Sequence, residues 1–233
     1  MMATDNPSAA ILRVAIAKLT PLLEQIVFVG GCVTGLLVTD PYATPVRTTL
    51  DVDVIVEVAS YAEFVVLEEK LRQLGFHEPQ VEGSPVCRWM TQNLILDFMP
   101  VDPSILGFSN RWYRPAMQNA KKIEIDGNEI RVITASYFLA SKIEAFHARG
   151  EHDYRLSRDL EDIITVLDGR AEIVEETGNA DISLRQYLAE EFSALIADRD
   201  FLDALPGHLL PDATSQQRIN IVMARMQQLI GKL

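Results

Sequence analysis

Cysteine is scarce: Cys32 and Cys87 are the only two in 233 residues. They form no CxxC pair and have no histidine at zinc-ligand spacing, so neither a disulfide framework nor a zinc site is expected, and two buried thiols remain. Histidine is nearly as rare, with four residues, and His147 and His152 lack HExxH spacing. Positive charge is in deficit. Lysine and arginine number 21 against 33 acidic residues, a net charge of −12, which opposes non-specific nucleic-acid binding over the surface as a whole but allows a local basic patch. No 18-residue apolar run occurs, and "MMATDNPSAAILRV" has no basic region leading into a long apolar stretch. No membrane contact or secretion signal is therefore expected, and a cytoplasmic location is. The absence of a G-x-S-x-G elbow and of a P-loop counts against those hydrolase and NTPase classes.

What is present has ordinary globular proportions, 48% hydrophobic and 23% charged. Ser8 can cap a helix through "AAILRVAIAKLTPLLEQ". "IVFVGG" reads as a buried strand ending in glycines, "CVTGLLV" as a short helix, and "TDPYATP" as a loop punctuated by two prolines. "TTLDVDVIV" alternates apolar and polar residues as a strand does, and "YAEFVVLEEKLRQLGF" is a helix stopped by Gly75. "VCRWMT" and "LILDFMPV" form a hairpin about "QN", and "KKIEIDGNEIRVI" a second about Asp126-Gly127. From Thr134 the periodicity is helical to the end, with "SYFLASKIEAFHAR" closed by Gly150 and "RLSRDLEDIITVLDG" by Gly169. The order is an α+β domain over residues 1–133 and a helical domain over 134–233.

Several residues stand out chemically. Gly30-Gly31 follows a strand directly, and paired glycines let a backbone approach a ligand such as phosphate; a plain turn is the ordinary alternative. Asp51 and Asp53 are i and i+2 on one strand, so both carboxylates project from one face. Hard Mg²⁺ bound with substrate phosphates would make use of such a pair, against the simpler reading of a solvated strand end. Asp97 lies inside the apolar run "LILDFMPV", where a lone carboxylate must be paired, hydrogen-bonded or metal-bound. If its strand neighbours the first, three carboxylates converge, enough for two metal ions; Asp102 is a weaker substitute. Lys142 and Arg149 share a helix face two turns apart and could neutralise a triphosphate or pyrophosphate, with ion pairing to Glu144 or other surface acids the ordinary alternative for each. For Asp159 and Asp162 a site role and an interhelical ion pair with Lys142 or Arg149 stay open together. "RWYRPAMQNAKK" combines Arg111, Arg114, Lys121 and Lys122 with aromatics, as RNA contact would need, or as a loop over a buried tryptophan would.

Taken together, "VGGCVTGLL", "RTTLDVDV", "LDFMPVD", "KIEAFHAR" and "RDLED" resemble the DNA polymerase β-type nucleotidyltransferase superfamily over about Ile26 to Leu167. More narrowly they resemble the AbiEii-like nucleotidyltransferases, which include toxins of type IV toxin–antitoxin systems. A long spacing from Gly31 to Asp51, and Gly31 where many members have serine, fit this branch best. The resemblance implies a polymerase β-like domain, with a mixed sheet flanked by helices, followed by a C-terminal helical domain. It implies that Gly30, Gly31 and Thr34 hold an NTP, that Asp51, Asp53 and Asp97 hold Mg²⁺ (two ions), that Lys142 binds phosphate and that Asp159 is a site carboxylate. The activity implied is transfer of a nucleoside monophosphate from an NTP to an acceptor hydroxyl, on an RNA 3′ end or a protein, with an antitoxin as a further partner. A small-molecule, antibiotic-modifying transferase and a non-catalytic nucleotide-binding module are the alternatives.

Overall fold

The computed structural model describes residues 7–149 and 153–231; Gly150 and His152 fall outside them. The chain divides into two units. The first runs to Gly35 and resumes over Thr48–Thr134, and the second takes Leu36–Arg47 and everything from Ala135 on.

The first unit is built on a six-stranded mixed sheet, ordered β3-β4-β2-β1-β6-β5. Its strands are β1 (Ile26–Val29), β2 (Asp51–Val56), β3 (Arg88–Met90), β4 (Ile95–Pro100), β5 (Lys121–Ile125) and β6 (Asn128–Val132). β1 is buried at all four positions, as a central strand covered on both faces must be. β2 pairs antiparallel with β1 and parallel with β4. The hairpin β5–β6 turns at Asp126 and Gly127, whose φ values of 50° and 79° are those a two-residue primed turn requires. Outermost β5 begins with exposed Lys121 and Lys122, charges that discourage pairing with another strand edge.

Helices α1 (Pro7–Lys18), α3 (Tyr61–Gln73), α4 (Pro103–Leu106) and α5 (Tyr113–Gln118) also belong to this unit, and α2 (Thr34–Leu37) straddles its end. The α1 helix departs from expectation at both ends. Pro21 has no N–H to continue the ladder, so the helix stops at Lys18 and the chain makes a short 3₁₀ turn over Thr20–Leu22. Ser8 lies inside the first turn rather than capping it; its hydroxyl is buried and accepts from the Thr49 N–H at 3.0 Å. α3 begins with the Ser60 hydroxyl accepting from Glu63 N–H and the Glu63 carboxylate accepting from Ala59 N–H. Trp89, Phe28, Phe64 and Phe98 are fully buried in this unit.

The second unit is helical: α6 (Ala135–Arg149), α7 (Arg158–Gly169), α8 (Ile173–Gly178), α9 (Ile182–Ala197), α10 (Arg199–Ala204), α11 (Ala213–Gln217) and α12 (Ile219–Ile230). Phe138, Phe192 and Phe201 are among its fully buried side chains. Among the described residues no helix is long and apolar enough to cross a membrane.

Segment Leu36–Arg47 is pinned along α7 by backbone and side chains alike. Thr39 and Asp40 N–H groups donate to the Gly169 carbonyl at 2.8 and 2.9 Å, and Thr44 N–H donates to Asp168 at 2.8 Å. Gly169 admits this close approach: a Cβ there would fall 2.7 Å from Val38 Cγ1 and 2.9 Å from Ala43 Cβ. Neither neighbour is the tip of a flexible side chain, so Gly169→Ala should destabilise the protein by roughly 1–3 kcal/mol, the cost of overpacking. Gly35→Ala, with open space around its Cβ, should be neutral or stabilising by about 0.5–1 kcal/mol. Thermal melting of the two variants checks this; equal melting temperatures would contradict it.

Candidate active site

Strand register brings the acidic residues of the first unit together. β2 and β4 run parallel with Asp53 opposite Asp97, so these two carboxylates lie side by side on one face, and Asp51, two residues before Asp53, shares that face. β3 adds a residue that motif reading missed. Arg88 stands opposite Asp97 across the β3–β4 ladder. Its Nε and Nη2 donate to the two oxygens of Asp97, both at 2.7 Å, and Nη2 also reaches Asp51 Oδ2 at 3.3 Å. The signal was present in the hairpin: counting back from the Gln92-Asn93 turn places Met90 against Ile95, Trp89 against Leu96 and Arg88 against Asp97.

The carboxylates differ in setting. Asp97 is 8% exposed and meets the guanidinium with both oxygens, a bidentate pairing that is strong and directional. Hydrogen bonding to Asp97 first, then the charges of Asp97 and Asp51, hold the Arg88 pKa above the ordinary arginine range despite partial burial. Asp51 is half-buried; its Oδ1 accepts from the Thr49 hydroxyl at 2.7 Å. Asp53 lies directly over Gly30. A methyl built on Gly30 would fall 1.9 Å from Asp53 Oδ2, and Gly30 has φ 67°, so the position needs glycine twice over. Buried Cys87 adjoins the group, where burial first and then the Asp97 charge push its thiol up to about 12. That thiol is no nucleophile at neutral pH.

After Gly30 the chain makes a 3₁₀ turn over Gly31–Val33 and then the single turn α2. Gly31 is buried, and Thr34 is fully buried, its hydroxyl without a hydrogen-bond partner among the described residues. Also among the described residues, no three side chains of His, Cys, Asp or Glu are grouped so as to hold a metal ion. On this face Arg88 stands among the three aspartates. The pair Asp51 and Asp53 has the composition that suits a hard divalent cation with substrate oxygens completing its shell.

The second unit holds Lys142 and Asp159, in an ionic chain whose members alternate in sign. Arg149 donates to both oxygens of Asp159 at 2.9 and 3.0 Å, and Lys142 Nζ lies 3.0 Å from Asp159 and 2.7 Å from Asp162. Arg47 then donates to both oxygens of Asp162 at 2.8 and 2.9 Å. Lys142, Asp159 and Asp162 are at most 6% exposed. Burial raises the Asp159 pKa, but the Arg149 hydrogen bonds and the charges of Lys142 and Arg149 outweigh it and leave the carboxyl below its usual 3.8. Asp102 caps α4, accepting from Ser104 N–H at 2.9 Å. In "RWYRPAMQNAKK", Trp112 is buried, Arg114 pairs with Glu57, and Lys122 pairs with Glu129 at 2.7 Å.

Comparison with protein-family models finds no match, and comparison with curated proteins finds none. Solved structures do match. JHP933 from Helicobacter pylori superposes with a TM-score of 0.51 at 13% identity, over 97% of this chain and 93% of that one. A second H. pylori structure, named provisionally as a nucleotidyltransferase, gives 0.51 at 14% identity over 97% and 94%. An antigenic nucleotidyltransferase-like protein of Paracoccidioides brasiliensis gives 0.49 at 20% identity over 88% and 94%. The chain thus shares the fold of the two H. pylori structures.

The depressed Asp159 pKa makes a directional prediction. Its charge contributes stability that is fully present above pH 3.8, the unperturbed value, and is lost as pH falls through the lower folded-state value. Asp159→Asn should therefore cost about 3–5 kcal/mol at neutral pH, as breaking a buried ion pair does, and the deficit should shrink in acid. Melting of both proteins across the acid range measures it; a pH-independent deficit would contradict the ionic account.

Proposed function

We propose that this protein is a Mg²⁺-dependent nucleotidyltransferase that moves a nucleoside monophosphate from an NTP to an acceptor hydroxyl. One observation carries the reading. Asp51 and Asp53 share one face of β2, Asp53 lies against Gly30 at the turn leaving β1, and this happens on a nucleotidyltransferase-like fold. Gly30 and Gly31 supply backbone that a triphosphate can approach closely, because no side chain stands in the way. The two carboxylates would hold the metal, which, when bound, supplies charge neutralisation for the triphosphate and pyrophosphate.

The remaining residues work around that pair. Thr49 fixes the orientation of Asp51 through its hydroxyl hydrogen bond. Asp97 orients Arg88 through two hydrogen bonds, and the acceptor proton leaves to water. Lys142 faces two carboxylates, Asp159 and Asp162, so much of its charge is compensated inside the second unit, and its part here is to hold α6 and α7 together. The acceptor is proposed to be macromolecular, an RNA 3′ end or a protein hydroxyl, and membership of a toxin–antitoxin pair belongs to the same proposal.

Incubation of the protein with each labelled NTP, Mg²⁺, and total RNA or cell lysate tests it. One fraction should become labelled with the wild type, and Asp53→Ala should lower labelling by at least about 10²-fold, as loss of a stabiliser of transition-state charge does. Asp53→Ala should melt no lower than the wild type, since removing one of several crowded negative charges relieves repulsion. Near-normal labelling by Asp53→Ala would defeat the assignment.

A further inference from the structure

Arg88 touches both Asp97 and Asp51. Its contacts are unequal: two short bonds of 2.7 Å to Asp97 and one long contact of 3.3 Å to Asp51. The Asp97 side chain is 12% exposed, whereas that of Asp51 is 36% exposed. The tight half of this arrangement is the Arg88–Asp97 pair, and the loose, wetter half is the contact to Asp51. We propose that Arg88 is a built-in cation which, anchored on Asp97, occupies Asp51 until a divalent ion displaces it. Asp97 is then the anchor of a guanidinium and not the third metal ligand. This rests on the metal-site reading of Asp51 and Asp53.

The chemistry follows from competition. A carboxylate already neutralised by a cation attracts a second one less strongly, so Arg88 lowers divalent affinity at Asp51 and leaves the site partly compensated when no metal is bound. Once displaced from Asp51, the guanidinium stays on Asp97 beside the metal-binding pair. There it presents positive charge and N–H donors to an anionic substrate group, for which a planar guanidinium is well shaped.

The test is Mn²⁺ titration of nucleotide-free protein, following free Mn²⁺ by electron paramagnetic resonance. Because Arg88→Gln alone leaves Asp97 without its cation, which can impair folding, the decisive variant is Arg88→Gln/Asp97→Asn, in which both partners become neutral and near-isosteric. The double variant should bind Mn²⁺ tighter than the wild type, by up to about fivefold, the worth of a partly exposed charge contact. Arg88→Lys, which keeps the charge, should bind close to wild type. Weaker binding by the double variant would show that Asp97 ligates the metal and would overturn the proposal, as would binding unchanged from wild type. Asp53→Asn, made in the same double background, separates the two readings. Loss of Mn²⁺ there supports the Asp51–Asp53 site. Retention overturns that site, and the Arg88 proposal with it, whatever the double variant alone does.

Discussion

Crowding of negative charge at one end of β2 and β4 is the constraint on which the first unit turns. Asp53 and Asp97 are in register on adjacent strands, roughly 5 Å apart by strand spacing, and two like charges at that distance repel by about 3 kcal/mol at an intermediate effective dielectric. That is a large share of a domain's net stability. The sheet offsets it from both sides. Arg88 stands opposite Asp97 on β3, and on the other flank the turn leaving β1 starts at Gly30, whose missing side chain leaves room for the Asp53 carboxylate. The order across the sheet is cation, anion, anion, glycine turn. On the proposed reading, a divalent ion would add positive charge beside Asp51 and Asp53.

The second unit solves a similar problem with the opposite sign. Arg149, Asp159, Lys142, Asp162 and Arg47 alternate through direct contacts, so three cations enclose two buried carboxylates. Each carboxylate is satisfied on two sides, which is what makes its burial tolerable. A second group repeats the device at the other end of α7. Arg218 bridges fully buried Asp168 at 2.6 Å and Asp40 at 2.7 Å, while Arg225 donates to the Leu167 and Asp168 carbonyls at the helix end. Segment Leu36–Arg47 is held by both groups, which fixes it along α7 without a regular element beyond the tail of α2.

How much of this was legible in the chain depends on how local its causes are. The Asp126-Gly127 turn, the stop at Gly75 and the alternation in β2 depend on neighbouring residues, and the structure has them where the pattern puts them. Pro21 was equally local, yet the apolar stripe running past it suggested a longer α1 than the missing N–H permits. Helices of four to six residues, such as α4 and α8, are too short for periodicity to mark. Arg88 was recoverable by counting hairpin register, because the carboxylate it neutralises is nine residues away. Arg47 was not. It meets Asp162 across 115 residues, and no local pattern distinguishes an arginine that will be drawn into a buried ionic chain from one left in solvent.

Anomalous diffraction from crystals grown with Mn²⁺ and a non-hydrolysable NTP analogue tests the central claim most directly. The two-carboxylate assignment predicts a manganese peak in coordination contact with Asp51 and Asp53, beside the Gly30-Gly31 turn, with Asp97 still paired to Arg88. A nucleotide bound elsewhere, or manganese that leaves Asp51 and Asp53 untouched, would contradict it.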